Sequence, residues 1–137
     1  MALAATAAFV VPLALYVATA APSVTFDDSG QLIVAAASLG ICHPPGYPLF
    51  ALCGHTFTLL PFMRGANVAR AVNLSSSVFM AAAAFMVFVT VFYTASKDAR
   101  KPETRKVVAA LAAALVFAFN LTVWKHAVIT GVFPNSE

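Results

Sequence analysis

Three long apolar stretches constrain the fold of this chain more than any other feature of its sequence. Residues 2–21, 71–94 and 107–124 are predominantly apolar, and each is long enough to cross a hydrocarbon core of about 30 Å as an α-helix. Only 9% of the residues are charged, whereas soluble domains contain about 25%. We therefore predict an all-α integral membrane protein with about three transmembrane helices, in which residues 1–137 form one portion of a multi-spanning membrane domain.

The basic residues of the chain indicate its orientation in the membrane. Five of the eight Lys and Arg residues lie in the short loop 95–106, and loops rich in these residues face the cytoplasm. This orientation places the N-terminus in the cytoplasm and the long loop 22–69 on the outer or lumenal side. Because the positive charge is explained by membrane orientation, we expect membrane lipid as a partner and no nucleic acid.

The first apolar stretch is also compatible with a cleavable signal peptide. Ala18-Thr19-Ala20 has the small side chains of a cleavage site. However, no basic segment precedes the stretch, and it is longer than the apolar core of a usual signal peptide. We favour an uncleaved first span.

The lumenal loop is predicted to contain short helices around a stiff turn. Residues 29–39 have a helix-like pattern, and Gly40 stands where a helix often ends in the left-handed conformation. The turn that follows, HPPGYP at residues 43–48, contains three prolines and a glycine. Residues 49–62 are apolar but too few to span a membrane, so we expect them to be interfacial or buried.

Two acidic residues, Asp27 and Asp28, lie just past the first span. A partly desolvated carboxylate at the membrane boundary has a raised proton affinity and can act as a general base. Asp28 and Gln31 also have the spacing of a capping box, which explains an Asp at this position without any chemistry. The two interpretations are compatible, because one Asp can cap the helix while the other reacts.

Several further residues are candidates for substrate binding. The stiff turn can present His43 and Tyr47 to a ligand with little loss of entropy, although it can equally be a plain structural turn. On the predicted lumenal side, cationic side chains can bind a phosphate leaving group or simply anchor the chain at the membrane interface. These side chains are Arg64, Arg70, Lys125 and His126.

A metal site is not predicted. Cys42, His43, Cys53 and His55 are potential zinc ligands, but their spacing matches none of the usual structural zinc patterns. The sequence alone does not decide whether Cys42 and Cys53 form a disulfide, because disulfide formation depends on the compartment.

Polar residues also occur inside the second span. Asn73, Ser75, Ser76 and Ser77 are predicted to pack helix against helix. Asn73 and Asn120 each begin a glycosylation sequon, but both lie in or near spans, so modification is not expected for Asn73 and is doubtful for Asn120.

The loop motifs resemble those of one family of membrane proteins. The motif DSGQ at residues 28–31, an apolar helix, and LGICHPPGYPLF at residues 39–50 occur in this order. Together with RAVNLSS at residues 70–76, they resemble the N-terminal part of the DUF2723 family, which includes an O-mannosyltransferase of the endoplasmic reticulum. The resemblance implies the start of a GT-C fold in an integral membrane protein, with the endoplasmic reticulum favoured and a bacterial inner membrane as the alternative.

The resemblance also implies a chemistry. Asp28, or Asp27, would accept the proton of a Ser or Thr hydroxyl on a protein acceptor, and the oxygen would attack C1 of mannose. The donor would be a dolichyl-phosphate-type lipid, its phosphate held by the basic candidates above, and the transfer would invert C1. No metal or other cofactor is implied.

Two departures from the family pattern favour an alternative. Gln31 stands where the family has Glu, and TGVF at residues 130–133 lacks the acidic residue of the corresponding family run. We expect a truncated glycosyltransferase fragment, and the alternative is a non-catalytic accessory or assembly subunit that retains the start of the fold. A transporter is disfavoured, because the spans contain few charges.

Overall fold

The computed structural model describes residues 1–25, 29–42, 47–63, 67–97 and 102–130. Within these ranges the chain is helical and contains no strand. Two helices, α1 and α4, are long and apolar enough to cross a membrane, and α5 with α6 qualifies as a third span if this bent pair is counted as one. The predicted all-α membrane fold is therefore confirmed. The helices are α1 (Ala2–Thr19), α2 (Ser29–Ser38), α3 (Pro48–Thr58), α4 (Val68–Ser96), α5 (Glu103–Ala118) and α6 (Leu121–Val128), with a 3₁₀ turn at Pro61–Met63.

The long helix α4 is the centre of the bundle, and α1 and α5 pack against it in the antiparallel direction. Their interfaces are made largely of alanine, which lets helix backbones approach closely where burial of apolar surface gives little driving force. Two buried layers result, one towards the C-terminal end of α4 and one at its middle. One layer contains Ala8, Phe88, Ala110 and Ala114, and the other contains Tyr16, Ala81, Ala84, Ala118, Ala127 and Val128.

The third predicted span differs from the single helix expected over residues 107–124. It breaks after Ala118, and α5 and α6 meet at an angle of 64°. The Oδ1 atom of Asn120 accepts a hydrogen bond from the backbone N–H of Thr122 (3.0 Å) and so caps the start of α6. The Tyr16 hydroxyl donates to the Ala118 carbonyl (2.6 Å) at the end of α5, where helix carbonyls have no partner within the helix.

Because Tyr16 satisfies a carbonyl exposed by this break, Tyr16→Phe should destabilise the bundle. The Tyr16 side chain is fully buried, and a buried carbonyl that loses its donor costs about 1–3 kcal/mol. Thermal unfolding in detergent, followed by circular dichroism, should show a lower midpoint for Tyr16→Phe than for the wild type. Tyr93→Phe, at a position 67% exposed, is the matched control and should leave the midpoint unchanged. Equal midpoints for Tyr16→Phe and the wild type would contradict this account of the break.

Loop 22–69 contains a pair of short helices, α2 and α3, that packs on the first turns of α4. Gly54 lies at the closest approach, since a Cβ atom there would come within 2.9 Å of the Ala36 Cβ and 3.4 Å of the Val72 side chain. His55 Nδ1 donates to the carbonyls of Ala36 (3.0 Å) and Ala37 (3.2 Å). The prediction that residues 49–62 do not span the membrane agrees with this short helix of 11 residues.

The end of α2 corrects one detail of the sequence analysis. Gly40 was expected in the left-handed conformation, but Leu39 adopts it, with φ 53°. The N–H of Gly40 bonds to the Ala35 carbonyl (2.9 Å), which is the six-residue hydrogen bond of a Schellman ending. The left-handed position therefore falls one residue before the glycine.

This register predicts a stabilising substitution, Leu39→Gly. A side chain in the left-handed conformation costs about 1–2 kcal/mol, and Leu39 is 54% exposed, so little packing is lost. After allowance for the greater freedom of glycine in the unfolded chain, we expect a gain of about 0.5–1 kcal/mol. Thermal unfolding should show a higher midpoint for Leu39→Gly than for the wild type. Leu39→Ala retains the Cβ and should not raise the midpoint. A lower midpoint for Leu39→Gly would refute the assigned register.

Candidate functional site

The structure describes half of the candidate site residues. Asp27, Asp28, His43 and Arg64 lie outside the described residues. The other four candidates, Tyr47, Arg70, Lys125 and His126, are all described.

The chain on both sides of the acidic pair is held by hydrogen bonds. Upstream, Asn73 Nδ2 donates to the carbonyls of Ala21 (2.9 Å) and Ser23 (3.4 Å). Downstream, the first residue of α2, Ser29, accepts a hydrogen bond at its Oγ from the backbone N–H of Thr25 (3.1 Å). The segment that contains Asp27 and Asp28 therefore begins and ends at positions that the helices define.

The same end of the bundle joins α1, α4 and the chain after α6. The N–H of Ala21 donates to the Val128 carbonyl (2.9 Å), and Ser77 Oγ donates to the Ala127 carbonyl (2.7 Å). Asn73 Oδ1 accepts from the N–H of Thr130 (3.0 Å). Of the polar residues predicted to pack helix against helix, only Ser77 bonds another helix within the described residues. Asn73 bonds the segments after α1 and α6 instead, and Ser75 Oγ donates to the Val72 carbonyl of its own helix. Asn73 is fully buried, in agreement with the expectation that its sequon is not modified.

Arg70 lies beside an apolar groove between α1, α3 and α4. The groove has a volume of about 500 Å³, and Arg70, an exposed residue in the first turn of α4, supplies the single charge of its described lining. Such a groove suits an amphiphile with an apolar chain and an anionic head group. The lining consists of Leu13, Val17, Phe57, Met63, Arg70, Leu74 and Val78.

Tyr47 has a partly structural role. It is the residue before α3 and adopts a left-handed conformation with φ 42° and ψ 54°, which is rare for a large side chain and occurs preferentially at functional sites. Its half-buried ring packs against the buried side chains of Leu32, Ala35 and Cys42. Tyr47 also lines an apolar groove of about 420 Å³ between α3 and Phe79 of α4.

The cations of α6 lie at the same end of the bundle as Arg70. This follows because α6 packs against the first half of α4 and its last carbonyls bond to Ala21 and Ser77. Lys125 is exposed and His126 is half-buried. The structure therefore brings Arg70, Lys125 and His126 to one end of the bundle, the end at which the acidic segment is anchored.

The structure also bears on the candidate metal ligands. His55 Nδ1 is bonded to carbonyl oxygens of α2, and no disulfide joins the buried Cys42 to the half-buried Cys53. Among the described residues, no three His, Cys, Asp or Glu side chains are grouped as metal ligands would be.

Comparison with known proteins identifies the family. Residues 28–137 match the model of the protein O-mannosyl-transferase TMEM260 N-terminal domain. The chain belongs to the TMEM260 N-terminal domain family. The match begins at Asp28, and it includes α2 to α6 with Arg70 and Asn73. The kinship that the sequence motifs predicted is confirmed.

Two relatives of this TMEM260 family have been named as enzymes. The chain is 39% identical to protein O-mannosyl-transferase TMEM260 of Mus musculus over 128 residues, which is 93% of this chain and 16% of the mouse protein. It is 30% identical to protein O-mannosyl-transferase tmem260 of Dictyostelium discoideum over 123 residues, which is 90% of this chain and 14% of that protein. The chain thus spans about one sixth of the length of these relatives. No solved structure matches the chain significantly.

Proposed function

We propose that the protein carrying this chain transfers mannose from a lipid-phosphate donor to Ser and Thr hydroxyls of proteins. The family and the names of its relatives support the transfer of mannose to a protein. The observation that favours a lipid-linked donor over a soluble one is the Arg70 groove, because it combines an apolar lining with a single cation. A nucleotide donor has no apolar chain to fill such a groove.

In this proposal Asp28 is the general base and Asp27 is the alternative. The carboxylate accepts the proton of the acceptor hydroxyl while the hydroxyl oxygen forms a bond to C1 of mannose. The bond between C1 and the phosphate oxygen breaks, its electron pair remains on the lipid phosphate, and the configuration at C1 is inverted. General-base catalysis of this kind contributes about 10²–10⁴-fold to a rate.

The cations at this end of the bundle would stabilise the departing phosphate. Arg70 is the first choice, because a guanidinium binds phosphate through two parallel hydrogen bonds. Arg64, Lys125 and His126 are further candidates, and His43 and Tyr47 would contact the sugar or the acceptor. The reaction would take place on the lumenal side of the endoplasmic reticulum membrane, with loop 22–69 facing the lumen.

The test is a transfer assay with the complete gene product that contains residues 1–137, purified in detergent and reconstituted in liposomes. The substrates are a Ser/Thr-rich acceptor peptide and radiolabelled mannose, supplied either as dolichyl phosphate mannose or as GDP-mannose. We expect labelled peptide with the lipid donor only, and release of the label by alkaline β-elimination. Transfer from GDP-mannose would overturn the donor assignment. A protein that transfers no mannose from either donor but co-purifies with a larger partner would favour the accessory-subunit alternative.

A further inference from the structure

Asn73 makes hydrogen bonds to two separate segments from the interior of a membrane span. Its side chain is fully buried in the second turn of α4, and its amide reaches the carbonyls of Ala21 and Ser23 on one side and the N–H of Thr130 on the other. These partners are 50 to 57 positions away along the chain. No contact of this amide is with the backbone of its own helix.

The amide group is matched to its partners in a way that few other side chains can reproduce. Carbonyl oxygens can only accept hydrogen bonds and a backbone N–H can only donate, so Nδ2 must face Ala21 and Ser23 and Oδ1 must face Thr130. An ionised aspartate has no donor, a protonated aspartate has a single O–H for the two carbonyls, and leucine has neither donor nor acceptor. In surroundings without water these polar groups have no competing partner, so each hydrogen bond fixes the position of the segment it holds.

The segments that Asn73 holds are those next to the acidic pair and next to the end of α6. Ser23 precedes Asp27 by four positions in the sequence, and the hydrogen bond between Thr25 and Ser29 closes the downstream side. Ala21 is bound twice, through its N–H to Val128 and through its carbonyl to Asn73. A displacement at Asn73 is therefore passed directly to the backbone that leads into Asp27.

We propose that Asn73 is a positioning residue that sets the entry of the chain into the Asp27–Asp28 segment and ties this entry to the segment after α6. The inference rests on the proposed function in so far as it assigns the general base to that segment. Asn73 touches no reacting atom in this assignment and acts through the backbone of Ala21 and Ser23. Its loss should lower the rate of the chemical step more than the affinity for the donor, because the Arg70 groove is lined by other side chains.

Asn73→Asp and Asn73→Leu test the proposal, and Ser77→Ala is the matched control. Ser77 is buried one turn further along α4, and its hydroxyl bonds the Ala127 carbonyl of α6 and the backbone carbonyl of Asn73. It makes no hydrogen bond to residues 21–25, so its loss should weaken the bundle without releasing the chain that leads into the acidic segment. In the complete gene product we expect kcat for mannose transfer to fall about 10- to 100-fold in both Asn73 variants, as for a misplacement of about 1 Å. The KM for dolichyl phosphate mannose should change less than about twofold in the Asn73 variants. In Ser77→Ala, both kcat and KM should stay within about twofold of the wild-type values.

A second measurement is independent of activity. Endoproteinase Asp-N cleaves on the N-terminal side of aspartate, and residues 1–137 contain Asp27 and Asp28 on one side of the membrane in the predicted topology and Asp98 on the other. In detergent, cleavage at Asp27 relative to cleavage at Asp98 should rise about fivefold or more in the Asn73 variants, because local opening of an anchored segment is what exposes it to protease. The ratio for Ser77→Ala should equal that of the wild type.

The outcomes separate this inference from the proposed function. Asn73 variants with an unchanged kcat and an unchanged cleavage ratio would overturn the positioning role, as would a Ser77→Ala variant that loses as much kcat as Asn73→Asp. If both Asn73 variants fail to fold while Ser77→Ala folds, Asn73 serves the fold as a whole and the positioning role is overturned. A wild type that transfers no mannose, combined with a raised cleavage ratio in the Asn73 variants, would overturn the proposed function and leave the anchoring role standing.

Discussion

Asp28→Asn is expected to abolish mannose transfer while the protein remains folded. Asparagine has nearly the same shape as aspartate but cannot accept a proton from the acceptor hydroxyl, so the rate should fall by at least about 100-fold. Asparagine is also a favoured N-cap residue, so the start of α2 should be preserved. The measurement is the initial rate of transfer from dolichyl phosphate mannose to a Ser/Thr-rich peptide, together with the thermal unfolding midpoint.

Two comparisons complete this experiment. Asp27→Asn tests which of the two carboxylates is the base, and the variant with the larger loss identifies it. Asp98→Asn, in the loop predicted to be cytoplasmic, is the matched control and should transfer mannose at the wild-type rate. Retained transfer in both Asp28→Asn and Asp27→Asn would refute a carboxylate base in this segment.

The second large effect is expected for Arg70→Gln. If Arg70 binds the donor phosphate beside the apolar groove, its removal takes away a charge-assisted pair of hydrogen bonds to the leaving group. Since negative charge on that phosphate grows as the bond to C1 breaks, kcat/KM for the lipid donor should fall about 100-fold or more. Initial rates over a range of donor concentrations would separate the effect on kcat from that on KM.

The control for charge alone is Arg70→Lys. Lysine restores the positive charge but not the bidentate geometry, so it should recover part of the loss. Arg105→Gln, near the start of α5, removes a cation at the other end of the bundle and should have no effect on transfer. Wild-type rates in Arg70→Gln would exclude Arg70 from phosphate binding, and the phosphate site would then have to be sought at Lys125 and His126.

Much of the fold could be predicted because the membrane imposes a simple rule on sequence. Hydropathy alone located α1 and α4, since a span needs a long apolar run and little else. The bend between α5 and α6 could not be found in this way, because residues on both sides of Asn120 are equally apolar. The Asn120 cap was a local signal for the bend. The bend is also stabilised by the hydrogen bond from Tyr16 to the Ala118 carbonyl, which joins residues 102 positions apart, and no local pattern encodes such a contact.

The candidate site, like the fold, could be predicted only in part from the sequence. The family is confirmed, whereas the reactive segment that the motifs predict, with Asp27 and Asp28, lies outside the described residues. The role of Asn73 could be predicted only in part: a polar residue in a span indicates internal contacts, but whether it holds another helix or a connecting segment depends on the tertiary arrangement. At the end of α2, Gly40 was a correct signal for a helix ending, and yet the left-handed position falls on Leu39, because the hydrogen bond from Gly40 to Ala35 fixes the register.

Because of the bend in the third span, the helices of the bundle differ in the length that each offers to the hydrocarbon core of the membrane. With 29 residues, α4 is about 43 Å long, whereas α5, with 16 residues, reaches only about 24 Å. A hydrocarbon core of about 30 Å is thicker than the second of these lengths. The third span therefore reaches across only with the contribution of α6, which runs at 64° to α5, and any remaining mismatch costs fractions of a kcal/mol per Å. The stability of this bundle is consequently tied to the thickness of its membrane.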